Sequence, residues 1–360
     1  NICRSDSNLL CYFLDKLEKE IITYIFNSIN NVIANIAEIL WGTPLVILLI
    51  GGGIFFSIYS RLLPFFYFKH ALEVLTGKFD SENDPGQISH FQGLTSALAS
   101  TVGMGNIAGV AIAIHMGGPG SIFWMWITAI IGMSTKFFTC TLAVMYRGKD
   151  DKGEIQGGAM YFIEEGLGPK FKPLANMFAI SGLIGTLTFF QANQLSSVIM
   201  NFIYKPYGMF ENNATYGNLT TGIFIAFLVG AVVFGGITRI SNVASRMVPF
   251  MVTLYLFGAV TIIFKNIDQI IPVINLIFYD AFTGSAIQGG TLGSMIIIGV
   301  RRGLFSNEAG TGTETMAHGA AKTSEPVREG LVAMLGPFID TIIVCSVTAL
   351  VILLSGVDTQ

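Results

Sequence analysis

Residues 99–109 read Ala99-Ser100-Thr101-Val102-Gly103-Met104-Gly105-Asn106-Ile107-Ala108-Gly109. They lie inside Pro85–Thr135, a run of 51 residues without Asp, Glu, Lys or Arg. A membrane helix needs about 20 apolar residues, so this run holds two spans. Gly117-Gly118-Pro119-Gly120 is the turn between them. Three glycines and Ser100, Thr101, Asn106 and Ala108 therefore fall in the middle of the first span. Two readings are open. Gly103 and Gly105 can let the helix unwind, freeing carbonyls for a cation and N–H groups for a carboxylate; irregular backbone is tolerated at membrane depth only where it is buried or lines a cavity. Alternatively, Gly105 and Gly109 form a G-x-x-x-G packing groove.

A second stretch favours the cavity. Gly303-Leu304-Phe305-Ser306-Asn307-Glu308-Ala309-Gly310-Thr311-Gly312-Thr313 again places small and polar residues after an apolar run. Both stretches contain Asn-x-Ala-Gly, at Asn106–Gly109 and at Asn307–Gly310. Two similar breaks, five spans apart and oppositely oriented, are the expectation for an inverted five-helix repeat with its binding site where the breaks meet.

Composition agrees with a polytopic membrane protein. Of 360 residues, 52% are apolar and 12% charged, against roughly 25% charged in soluble domains. The net charge of −3 without a basic stripe argues against nucleic acid. High apolar content excludes disorder, and four Cys in 360 residues exclude a disulfide scaffold. The His and Cys form no metal-ligand spacing, so no transition metal is expected. No Walker loop supports ATP-driven transport, a channel would want repeated polar loops around an axis, and no nucleophile–base set suggests an enzyme.

Charge-free runs place about eight spans: A in Gly42–Ser60, B about 91–115, C about 121–146, D in Pro173–Tyr204, E in Asn212–Thr238, F in Met247–Phe264, H fed by Ala281–Val300, and I about Gly330–Val357. Ile270–Phe282 reads as an amphipathic surface or re-entrant helix. Residues 1–41 form a separate N-terminal segment, with Leu14, Leu17, Ile21, Ile25, Ile29, Val32, Ile33 and Ile36 at helical spacing; residues 42–360 form the membrane domain. Counting Arg301 and Arg302 in loop H–I, alternate loops carry 14 Lys/Arg against two. The positive-inside rule then puts the N-terminus outside.

Several segments carry a resemblance. Ala97–Gly120, Phe123-Trp124-Met125-Trp126, Gly132–Arg147, Gly157–Ile163, Arg302–Gly310, Ala320–Thr323 and Gly330–Leu350 resemble the alanine or glycine:cation symporters, the sodium:alanine symporter family. The resemblance implies an all-α, LeuT-like fold with discontinuous helices, Na+ as the coupling ion, alanine or glycine as cargo, and a place in the cell (plasma) membrane. It implies substrate contacts from Thr101, Gly103, Gly105, Gln191, Ser306, Asn307 and Thr311, with Asn193 in the same polar patch as Gln191. Asn106, Gly103 and Asn307 are implied around the cation. Met104 stands where the family usually has Thr, which bears on pocket volume and cargo.

Three charges need their own reading. Lys136 and Asp340 lie inside spans C and I at similar depth, each costing about 2.5–3.5 kcal/mol if unpaired. An ion pair or hydrogen-bonded link between them is expected; the alternatives are snorkelling of Lys136 and a role in coupling. Glu308 either attracts the cation or caps the second half-helix. A protonatable carboxyl here also leaves proton coupling open. Trp124 and Trp126 read as interfacial anchors. An inverted five-plus-five core needs ten spans, so this reading expects about three further helices after Gln360, and a non-transporting fragment is the other alternative.

Overall fold

The computed structural model describes residues 23–24, 26–81, 83–150, 153–187, 189–210, 213–283 and 292–356. The expected helical positions Leu14, Leu17, Ile21 and Ile25, and the ends of several expected spans (Asn212, residues 284–291 and Val357), lie outside them. The chain divides into two units, Asn1–Leu49 and Ile50–Gln360. In the first, residues 26–40 are helical and their apolar side chains, Ile29, Val32, Ile33 and Ile36 among them, are exposed.

Apart from a single turn at Leu63–Phe66, the helices from Thr43 on are, in chain order, α1 Thr43–Tyr59, α2 Phe68–Leu75, α3 His90–Thr101, α4 Met104–Gly117, α5 Ser121–Met145, α6 Ala159–Leu167, α7 Lys172–Gly185, α8 Phe189–Ile199, α9 Ala214–Val233, α10 Gly236–Lys265, α11 Ile270–Thr283, α12 Leu292–Asn307, α13 Glu314–Gly319 and α14 Pro326–Ser355. A two-stranded ribbon pairs Gly148–Lys149 with Ile155–Gln156.

Span B is broken where its glycines stand. α3 ends at Thr101, α4 begins at Met104, and their axes differ by 44°. A capping box opens α3: Ser89 Oγ accepts from Gln92 N–H, and Gln92 Oε1 accepts from Ser89 N–H at 2.9 Å. Gly103 N–H donates to Asn106 Oδ1 at 2.8 Å, satisfying one donor that the new helix start leaves free.

The second break ends α12. Glu308 has φ 52°, a left-handed conformation that a non-glycine residue rarely adopts. Glu308 therefore closes the first half of the broken element rather than capping the second. Within α14, Pro337 supplies no N–H, and Phe338–Cys345 form a π-helical stretch, a feature frequent at functional sites.

α5 is the central post. Ser121, Met125, Thr128, Gly132 and Lys136 lie in its buried faces, and α12 and α14 pack along it. Glycines permit the closest approaches: a Cβ on Gly299 would stand 2.5 Å from Ser121 O, and one on Gly330 would stand 2.0 Å from Thr141 Oγ1. α11 caps the start of α5, since Gly120 N–H donates to the buried Asp280 Oδ2 at 2.8 Å.

Among the described residues, five helical stretches are long and apolar enough to cross a membrane: Phe26–Tyr59, α5, α9, α10 and α14. The bent α3–α4 pair makes a sixth. About eight were expected. Span D is the main difference, because α7 and α8 are separate helices of 14 and 11 residues. Span H is represented by the 16 residues of α12. Arg301 and Arg302 correct the loop count. They lie inside α12, between Gly299, which meets Ser121 and Trp124, and Gly303, which meets Met125 and Thr128. They are thus beside the first two turns of α5, far from its Arg147 end, and the basic excess loses two of its fourteen members.

α9 and α10 leave large apolar side chains exposed, including Phe227, Leu254 and Phe257. Helices with lipid as their solvent have no reason to bury such faces, and the architecture is that of a multi-pass membrane protein.

Candidate functional site at the two helix breaks

Two apolar clusters flank a polar layer. One gathers Leu94 and Leu98 of α3 and Val102 of the break with Met133, Phe137, Leu331 and Leu335. The other gathers Val110, Ala113 and Ile114 of α4 with Ile122, Met125 and Ile277. Between them sit both breaks and the π stretch of α14. A Cβ on Gly105 would lie 3.7 Å from Ser306 Cα, so the breaks face each other closely.

Asp340 is the hub of that layer, fully buried at 0% exposure. Asn106 Nδ2 donates to its Oδ1 at 2.6 Å and to its backbone carbonyl at 3.1 Å. Ser306 Oγ and Thr341 Oγ1 each donate to Oδ2 at 2.8 Å. Asn106 Nδ2 also reaches Ser306 Oγ at 3.2 Å, and the Cys345 thiol lies 3.3 Å from both side chains. One carboxylate thus joins α4, α12 and α14 through neutral donors. Burying an ion normally costs several kcal/mol unless it is paired or fully hydrogen-bonded, and here the donors come from the first turn of α4, the last turn of α12 and the π stretch of α14.

The expected Lys136–Asp340 ion pair is not formed: no nitrogen–carboxylate contact within 4.0 Å joins them among the described residues. Asp340 turns to the short donors of the breaks instead, while Lys136, 2% exposed, lays its side chain against Gly336, where a Cβ would stand 3.7 Å from Nζ.

The other expected site residues divide. Asn307 is buried; its Oδ1 accepts from Ala309 N–H at 3.0 Å and its Nδ2 reaches Thr341 Oγ1 at 3.4 Å. Gly103, Gly105, Asn106, Ser306 and Asn307 are therefore one constellation. Thr101 is buried beside it, with its hydroxyl turned back on the Ala97 and Leu98 carbonyls. Glu308 and Thr311 lie on its rim. Glu308 Oε2 accepts from Thr313 Oγ1 at 2.7 Å and from Ser100 Oγ at 3.5 Å, while Thr311 is exposed and donates to Glu308 O at 2.8 Å.

Gln191 is not brought in. It is exposed on α8, as is Asn193. α7 buries Ala175 alone among its described residues, and the interior bond of α8 runs from Ser196 to Asn218 of α9. The pattern of these helices lacks a stripe that would press Gln191 against the breaks. The two tryptophans have partners within the protein: Trp124 Nε1 donates to Ala281 O and Trp126 Nε1 to Ser346 Oγ. Sequence reasoning missed Asp340 as the hub, with Thr341 and Cys345 beside it. Its signal was a lone carboxylate in an apolar span, and only the partner was misread.

Comparison with known proteins gives a consistent result. The model of the sodium:alanine symporter family matches residues 26–360. A transporter of Haemophilus influenzae is 41% identical over 337 residues, covering 91% of this chain and 71% of its own. The sodium/alanine symporter of Methanococcus maripaludis is 41% identical over 332 residues, with the same coverage of 91% and 71%. An amino-acid carrier protein of Bacillus subtilis is 35% identical over 332 residues, 92% of this chain and 68% of its own.

Proposed function

Because this chain belongs to the sodium:alanine symporter family, whose members are transporters and not enzymes, we propose that it carries a small neutral amino acid, alanine or glycine, with Na+ across the plasma membrane by alternating access. The fold assigned with this reading is the LeuT-like inverted repeat, with the α3–α4 break and the end of α12 as its two discontinuities.

The observation that carries the reading is Asp340, buried and gathered by Asn106 and Ser306 between the two breaks. The start of α4 lies beside this layer, where Gly105 approaches Ser306, and a helix N-terminus suits the carboxylate of an amino acid. Asn106, Gly103, Asn307 and Glu308, joined now by Asp340, are assigned to the cation. Thr101, Gly105, Ser306 and Thr311 are assigned to the amino acid; Gln191 is dropped from that set. A cation beside Asp340 offsets the cost of a buried charge. Ordering the freed backbone for the cation also raises affinity for the amino acid, and the coupling is reciprocal.

A second reading, proton coupling, draws on the same residue, since a carboxylate ringed by neutral donors can also accept a proton. Uptake of labelled alanine and glycine into proteoliposomes under separately imposed sodium and proton gradients distinguishes them. Sodium-driven uptake is expected. Uptake under a proton gradient alone selects the second reading, and no uptake under either overturns both.

A further inference from the structure

The end of the bundle that carries Arg147 and Lys149 is tied shut by a second buried cluster, outside the site at the breaks. Glu329, at the start of α14, is 0% exposed, and His90 and His318 are each 1% exposed. His318 Nδ1 meets Glu329 Oε1 at 2.5 Å, and His90 Nδ1 meets Glu329 Oε2. His90 Nε2 lies 3.6 Å from Asp80 Oδ1. Gly93 makes room on α3, where a Cβ would stand 3.0 Å from Glu329 Oε1. A further layer covers the cluster: the Arg147 guanidinium donates to the carbonyls of Pro85, Gly319, Ala321 and Thr323, and Ile88 bridges to Ala321. At 1.5 Å per residue, the 12 residues from His90 to Val102 set the cluster about 18 Å from the break.

We propose that His90, Glu329 and His318 are the gate that closes the transport path at its basic end. Three arguments support a contact that opens rather than a fixed strut. The cluster joins α3, half of a broken helix, to α13 and α14, the elements that follow the second break. Val102 and Gly103 interrupt the helix between α3 and α4 with a 44° bend, a joint at which α3 can turn without carrying α4 along. A buried ionic cluster is also a poor way to hold helices permanently, because apolar packing of equal volume usually holds as well or better. These groups regain hydration on opening, so separating them costs less than their proximity suggests. The inference rests on the transport reading for the identity of the path, but the lock can be tested without any cargo.

Ala97 is 6% exposed, one turn beyond Gly93 on α3. Ala97→Cys, probed with a membrane-impermeant maleimide from the Arg147 side of reconstituted vesicles, reports opening; the chain's own four cysteines set the background. Loss of one charge-assisted bond raises the open population, so Glu329→Gln is expected to speed labelling about tenfold. His318→Gln is the second variant should Glu329→Gln fail to fold. Glu325→Gln removes an exposed carboxylate 2.9 Å from Arg328 at the same end and should label at the parent rate. Labelling at the parent rate in whichever of Glu329→Gln and His318→Gln folds, or equal acceleration by Glu325→Gln, overturns the gate. Normal gate behaviour without amino-acid uptake under either gradient would instead sink the transport reading alone.

Discussion

Asp340 concentrates the chemistry of the site in one side chain. Asp340→Asn keeps the shape and most hydrogen bonds but removes the charge that a cation would meet. We expect sodium affinity to fall about 10- to 100-fold, equivalent to about 1.4–2.8 kcal/mol, with the protein still folded. Sodium titration of alanine uptake reads this directly, and an unchanged half-saturation would remove Asp340 from the cation site. Asn106→Ala withdraws two bonds to Asp340 and the cap on Gly103 N–H. Its sodium-stimulated uptake should vanish, while persistence of that stimulation would exclude Asn106 from the coupling. At this scale the glycines and Asn106 were legible in the sequence, because polar and small residues are costly in a lipid-facing helix. The partner of Asp340 was not: a charge in an apolar run announces that it is satisfied, without saying by which residue. The donors at Asn106 and Ser306 are 234 and 34 positions away.

The elements hold the site through close backbone approaches and one borrowed cap. Asp280, on the short α11, accepts the Gly120 N–H that opens α5. Asp280→Ala leaves that buried donor unpaired, which costs about 1–3 kcal/mol. A lower thermal midpoint in detergent is the expected result, and an unchanged midpoint would show that the cap is idle. Gly299 and Gly303 let α12 lie on α5. Gly299→Leu should overpack this crossing by about 1–3 kcal/mol and reduce the yield of monodisperse protein; wild-type yield and melting would refute the tight crossing. Charge-free runs and turn residues located α5 and the broken α3–α4 pair to within about two residues and α9 to within about five, whereas α10 begins at Gly236, eleven residues before the expected Met247, and carries Arg239 and Arg246, which were read as loop residues. Span D was read as one helix because an apolar, charge-free run carries no mark of the stop between α7 and α8. Arg301 and Arg302 were read as loop residues because two adjacent arginines break such a run, yet α12 carries both.

At the scale of the whole molecule, orientation is the open quantity that the charges address. Arg147, Lys149, Lys322 and Arg328 cluster at the end where α5 finishes and α14 begins. The positive-inside rule predicts that this end faces the cytoplasm. Lys149→Cys should then react with an impermeant thiol reagent in inside-out vesicles and Asn218→Cys in intact cells; the reverse pattern would invert the assignment.

The sequence by itself determined the solvent of this protein, several of its helices and where one of them breaks. Those properties follow from local composition: apolar length sets what can cross a bilayer, and glycine and asparagine set where backbone can leave the helix. The tertiary structure decided which side chains meet. It turned Asp340 from half of an ion pair with Lys136 into the link between both breaks, left Gln191 exposed on α8, and brought His90 to Glu329 across 239 positions. Such contacts depend on how helices cross and which faces they share, and a charge or a glycine in one segment carries no address for its partner in another.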